Sequence, residues 1–285
     1  LALENDCSVF CLVHVGQRHR SLETYPLERH MRLDDLMTAL PWWLPPALAL
    51  AIGLMALAPL GTQVLARGVV FIDLAVAQAA AAAALWVAAV VDHPNVWTTQ
   101  AMATTGAMAC AAAVAWLSRL WPQQREALIG LLYVSGASMA LLGAGQDPHG
   151  RERLGQLLAA DVLWADWPQV MVLTACALAV AASRRWLQRD AVFYPGFALV
   201  ASLAVPVLGL FVVFAALIAP ALWQRAGWSA VGAGLGAMAA SAFGLLASWM
   251  FDVPSGASVA LALSGFGALS AWGQTESGHA SSRAM

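Results

Sequence analysis

The sequence predicts an all-α, polytopic transmembrane helical bundle of about eight spanning helices. Hydrophobic residues make up 61% of the 285 and charged residues only 11%, where a soluble domain carries about a quarter. A water-soluble fold of this length would expose too much apolar surface. Apolar runs near the ~20 residues that a bilayer core requires recur along the chain. Small residues crowd those runs, including the unbroken stretch Ala79 to Ala84 and the trio Gly232, Gly234 and Gly236. In lipid, such residues let helix backbones approach and gain packing contacts.

The runs place helices at about 44–65, 68–91, 98–118, 126–144, 168–183, 194–222, 227–250 and 255–272. The fifth is short. The sixth would be about 43 Å long at 1.5 Å per residue, longer than a ~30 Å core. Pro195, Pro206 and Pro220 should divide or kink it, most of all where Pro206 is followed by Gly209. Between the fourth and fifth helices lies the longest loop. There Leu154, Leu157, Leu158 and Val162 suggest a short amphipathic helix at the interface, with Trp164 and Trp167 in an aromatic belt.

Residues 1–30 differ from the rest of the chain. They hold three of the six His and two of the four Cys, and no long apolar run. We read them as a dispensable extension before Met31, with the membrane domain over 31–272 and a polar, disordered tail over 273–285. Cys7, Cys11, His14 and His19 have ligand chemistry, but their spacing matches no familiar zinc module. Cys110 and Cys176 lie in apolar runs and act as small core residues.

Every basic side chain is Arg. A phosphate-binding Walker loop needs a Lys, so any ATP that drives this protein is held by another chain. The net charge of -2 gives no nucleic-acid footprint. Arg67, Arg119, Arg125, Arg184, Arg185 and Arg189 fall in odd-numbered loops, against Arg32, Arg151, Arg153, Arg225 and Arg283 on the other side. The positive-inside rule then puts odd loops in the cytoplasm and both termini outside, on a margin of six to five.

Asp73 is the acid that sits inside an apolar run. At membrane depth such a group costs roughly 2.5–3.5 kcal/mol on insertion scales unless it faces a polar cavity or a partner. Two readings stand: Asp73 lines a passage, or it is an interfacial acid paired with Arg67 or a helix terminus. Gln78 lies five residues on, roughly 140° round the helix. Asp92 and His93, in the loop after the second helix, form a further pair that could meet a metal at the entry.

Four stretches now resemble one known family. Leu65-Ala-Arg67-Gly68-Val-Val-Phe71-Ile-Asp73-Leu74-Ala-Val-Ala-Gln78-Ala is similar to the second-helix motif of the zinc/manganese/iron ABC transporter permeases, Leu-Arg-Arg-x-x-Phe-x-Gly-Asp-Ala-Leu-x-His-Ala. Glu126-Ala-Leu-Ile-Gly130 resembles that family's acid-Ala-x-Ile-Gly. The stretch from Gly209 through Pro220 resembles Gly-x-Leu-Leu-Val-x-Ala-Leu-Leu-x-x-Pro-Ala, and Asp252-Val-Pro254-Ser255-Gly256-Ala257 resembles Asp-x-Pro-Ser-Gly-Ala. The four keep the family's order over about 35–272. Two departures are plain: the family's His falls on Gln78, and its Asp on Leu74, with Asp73 one place early. Nor does the loop over 183–194 show the family's acid-Ala-Gly coupling segment; its one acid is Asp190.

The resemblance implies a divergent permease subunit of an ATP-driven importer for a divalent metal ion, zinc or manganese, with no chemistry and no bound cofactor of its own. It implies a separate ABC ATPase that hydrolyses ATP, an extracytoplasmic metal-binding protein, a homodimer, and multi-pass placement in a bacterial inner membrane. It carries the metal route onto Asp73 and Gln78. The alternatives are a secondary transporter, or an intramembrane enzyme built on Gly136-Ala137-Ser138. The enzyme lacks a His on any of the eight predicted helices to act as base, and the secondary transporter lacks repeats and further intramembrane charges.

Overall fold

The computed structural model describes the backbone of residues 33–91, 94–146, 149–150, 152, 154–155 and 162–282, and the side chains of 43–91, 94–146, 149–150, 152, 154–155 and 162–270. Residues up to Leu40 form one unit and Pro41–Met285 another. The sequence readings at Cys7, Cys11, His14, His19, Asp92, His93, Leu157 and Leu158 lie outside the described residues.

Among the described residues the chain is helical throughout, with nine α-helices: α1 Leu33–Arg67, α2 Ile72–Val90, α3 Val96–Leu120, α4 Arg125–Ala144, α5 Trp167–Ser183, α6 Asp190–Leu208, α7 Leu210–Arg225, α8 Ala230–Phe251 and α9 Ser255–Ser282. A 3-10 turn over Val162–Trp164 precedes α5. Six helices are long and apolar enough to cross a membrane; α5, α7 and the apolar part of α9 are shorter. This is the polytopic helical bundle that the sequence predicts.

The predicted sixth helix is two helices. The break falls at Gly209, not at Pro206, and it is a full reversal. Gly209 adopts φ 81, ψ 151, a region that is essentially glycine-only. Contacts with α1 show the reversal directly. Arg67, at the end of α1, pairs with Asp190, at the start of α6, while Gly53 meets Leu208, at the end of α6. α6 therefore runs antiparallel to α1. Then Gly61 packs on the Leu217 backbone and Arg225 donates to the Leu65 carbonyl, so α7 runs parallel to α1. Leu208 and Leu210, either side of the turn, are buried.

This reversal corrects the predicted topology. Arg225 lies at the same end as Arg67, and all seven arginines with described side chains (Arg67, Arg119, Arg125, Arg184, Arg185, Arg189 and Arg225) gather there. Among the arginines with described side chains, the distribution is one-sided. α9 also returns to this end: Trp223, near the end of α7, donates to the Phe266 carbonyl. Within the unit from Pro41 on, Trp43 of α1 and Phe266 of α9 therefore lie toward opposite ends of the bundle. Exposed tryptophans mark two belts, Trp121, Trp186 and Trp228 at the arginine end, and Trp43, Trp97, Trp164, Trp167 and Trp249 at the other, as interfaces with headgroups select.

The Ala79 to Ala84 run does pack closely. α2 lies between α3 and α4, and a Cβ on Gly106 of α3 would stand 2.6 Å from the Ala79 carbonyl oxygen. Of the α8 trio only Gly236 is pressed by a neighbouring helix, against the Phe266 ring; Gly234 has open space beside it. The Asp252-Val-Pro254-Ser255 motif is the α8–α9 corner, with Asp252 left-handed at φ 51 and Ser248 donating to the Val253 carbonyl.

Gly209→Ala is expected to cost about 1–3 kcal/mol, because Ala cannot hold that backbone conformation without strain. Thermal unfolding of the purified variant in detergent should show a lowered midpoint, whereas Gly234→Ala should leave it within error of the parent.

Candidate permeation site

Two groups of polar residues stand where the helices would otherwise be apolar. The first is at the arginine end. α1 closes in a left-handed Gly68 at φ 62, with the Gly68 and Val69 amides donating back to the Leu65 and Val64 carbonyls. That stop leaves Arg67 in the last turn, where it joins three segments. Its Nε donates to Asp190 Oδ1 at 3.1 Å, its Nη1 to Gln63 Oε1 at 2.8 Å, and its Nη2 to the Leu187 and Gln188 carbonyls at 3.0 and 2.9 Å. The guanidinium also lies 4.2 Å over the Phe193 ring. Glu126, at the start of α4, accepts from the Val70 amide at 3.3 Å. The resemblance motifs at Arg67 and Glu126 are thus cross-ties between helices, and the loop acid Asp190 is one end of an ion pair.

Asp73 sits in the first turn of α2 and is 0% exposed. The pairing with Arg67 is not made, because Asp190 occupies that guanidinium. Neither carboxylate oxygen has a hydrogen-bond partner among the described residues. So the helix-terminus alternative fails too: no α2 amide donates to it. A buried carboxyl is rarely left so.

The second group surrounds the buried reversal. Pro206 has no N–H, so it cannot bond the carbonyl four residues back, that of Ser202. Gln100 of α3 supplies the missing donor: its Nε2 donates to the Ser202 carbonyl at 3.1 Å. One turn on, Thr104 Oγ1 lies 3.2 Å from Ser202 Oγ. Gln78 of α2, 6% exposed, and Ser202 line a cavity of about 30 Å³ with Ala77, Ala81, Ala103 and Pro206. That holds about two water molecules at ~10–15 Å³ each. Non-helical backbone at membrane depth is tolerated where it is buried in protein or lines such a cavity.

The structure places the two sequence-predicted residues on one helix and not in one cavity: Gln78 lines this one and Asp73 does not. Gln100, Thr104 and Ser202 were not singled out from the sequence. The signal was there in Pro206 minus four and in the i, i+4 spacing of Gln100 and Thr104. Among the described residues no three of His, Cys, Asp and Glu cluster as a metal site would need. Ser138, the nucleophile of the enzyme alternative, is exposed on α4, and α1 through α8 carry no His.

With that geometry in place, one comparison is informative. A chain of PsaBC from Streptococcus pneumoniae, solved in complex with a Fab, superposes with a TM-score of 0.62 over 84% of this chain and 95% of that chain. The fold resembles that of PsaBC. Sequence identity is 15%, so the likeness is one of fold. No family model matches the sequence, and no curated protein matches it.

Gln100→Leu should leave the Ser202 carbonyl buried without a donor, at about 1–3 kcal/mol. Paired with Pro206→Ala, which restores the helical N–H, the loss should shrink. Thermal unfolding of the two single variants and the double variant checks this; strictly additive losses would show that Gln100 does not serve that carbonyl.

Proposed function

We propose that this chain is the membrane permease subunit of an ATP-driven importer for a divalent metal ion, with Asp73 on the metal's route. The observation that carries the reading is a fully buried carboxyl without a partner, within a place of the acid in a metal-permease motif. An uncompensated buried charge costs several kcal/mol, so a carboxyl kept there has a use that brings a positive charge to it. The PsaBC-like fold over nearly the whole of that chain supports a permease over an enzyme.

The donors near the route are oxygens. Asp73 offers a carboxylate, Gln78 and Ser202 offer neutral oxygens at the cavity, and Thr104 stands behind Ser202. Carboxylate, carbonyl and water oxygens suit manganese, whereas imidazole suits zinc. Gln78 in place of the family's His therefore favours manganese. The cavity has too few oxygens to replace a metal's full hydration shell, so in this reading the ion passes Gln78 still partly hydrated.

The arginine end faces the cytoplasm in this reading, and the separate ATPase docks at that end. An extracytoplasmic metal-binding protein delivers cargo to the opposite end. The permease works as a homodimer in a bacterial inner membrane.

The test is Asp73→Asn, which keeps shape and removes charge. Uptake of labelled manganese by cells carrying the assembled transporter should fall about tenfold or more, the scale of a 1.4 kcal/mol loss. Membrane yield and thermal stability should hold, since Asn keeps the shape and no hydrogen bond of Asp73 is lost. Full uptake, or uptake lost together with stability, would contradict the role given to Asp73.

A further inference from the structure

A groove of about 650 Å³ opens between α1, the α5–α6 connection, the end of α7 and the start of α8. It is polar at one end and apolar at the other. Gln63, Arg184, Gln188 and Gln224 line the polar end, and Met55, Leu235 and Met238 line the apolar one. Met55 and Leu235 are 64% and 61% exposed, so the apolar end opens sideways, where hydrocarbon surrounds a spanning bundle. The polar end shares its level with the exposed rings of Trp186 and Trp228, the level at which headgroups stand.

The charges at this end are unbalanced. Arg67 takes up the charge of Asp190, and this is the one ion pair among the described residues. Arg184, Arg185 and Arg189, all on the same short connection, have no such partner. Arg67 also sets the amides. Its Nη1 bond occupies Gln63 Oε1, which leaves the Gln63 amide N–H groups as the free end. The polar end therefore offers donors and positive charge and lacks an anion.

We propose that this groove seats one anionic glycerophospholipid. Its phosphate lies at Arg184, with the amides of Gln63, Gln188 and Gln224 as neutral donors, and an acyl chain runs along Met55, Leu235 and Met238. Basic pockets between transmembrane helices at the interface bind acidic headgroups in this way. A helix from a second copy would cover Arg184 and three amides without supplying the matching charge. A lipid phosphate supplies it at the right level and leaves the apolar end to hydrocarbon.

Native mass spectrometry of the purified full chain tests this, with dioleoyl phosphatidylglycerol, dioleoyl phosphatidylcholine and glycerol 3-phosphate as probes. Phosphatidylglycerol should be retained over phosphatidylcholine, and glycerol 3-phosphate alone should not be retained. Arg184→Gln should weaken phosphatidylglycerol retention roughly fivefold, the share of one arginine near a membrane surface. Gly234→Trp, which fills open space in the groove wall, should abolish it. Equal retention of the two lipids, or retention unchanged in both variants, would overturn the proposal. So would retention of glycerol 3-phosphate as tight as that of the lipid. Disulfide-linked dimers through Leu235→Cys would overturn it as well, by assigning the groove to a second copy.

Discussion

The reversal at Gly209 happens where water cannot serve the backbone groups it frees. A single residue at φ 81, ψ 151 turns the chain back on itself between two buried leucines. Only glycine tolerates that conformation, and only burial or a cavity tolerates irregular backbone at membrane depth. Much of the remaining architecture depends on it. Because α7 returns toward the start of α6, Arg225 meets the Leu65 carbonyl, and α8 and α9 each run opposite to the direction a single kinked helix would give them. Pro206, three residues before the turn, leaves a carbonyl that α3 must satisfy, and Gln100 does so. The small cavity between Gln78 and Ser202, otherwise lined by apolar residues, thus sits beside a backbone irregularity.

At the arginine end the governing contact is Arg67. Five hydrogen bonds and a ring face converge on one guanidinium, binding the last turn of α1, the α5–α6 connection and the start of α6. Its planar fork suits three directions at once, which a lysine could not serve. By holding Asp190, it leaves Asp73 alone five residues past Gly68. Two acids that are interchangeable in composition therefore have opposite circumstances: one paired and half-exposed, the other sealed with no donor.

The sequence carried the helix positions well, because apolar runs and their polar breaks report directly on bilayer depth. α2 to α5, α8, the start of α9 and the apolar part of α1 from Trp43 fall where hydropathy puts them, while α1 itself begins earlier, at Leu33. It misled at 194–222, where the run stays apolar through the turn. Hydropathy cannot see a reversal whose both arms are buried, so Pro206 and Gly209 read as a kink and not as a turn. The same turn moves Arg225 across the membrane, which a count of loop arginines cannot anticipate. Asp73 and Gln78 were visible as polar letters in an apolar run. The partner of Arg67 was not, since Asp190 lies 123 residues away. Neither was the Gln100–Ser202 contact, which depends on how α3 and α6 cross.

The topology places Asp73 and Gln78 on a helix packed between α3 and α4 inside the bundle, so the sidedness of the reversal bears on the functional reading. Sidedness tests it directly. In a background with the native cysteines replaced by Ser, single cysteines at Trp186, Ala226 and Thr98 are labelled with a membrane-impermeant maleimide in intact cells and in inverted vesicles. With a reversal at Gly209, the cysteines at 186 and 226 label together from one face, and that at 98 from the other. Labelling of position 226 from the face that labels position 98 would mean that 190–225 crosses once, and would contradict the fold and the site built on it.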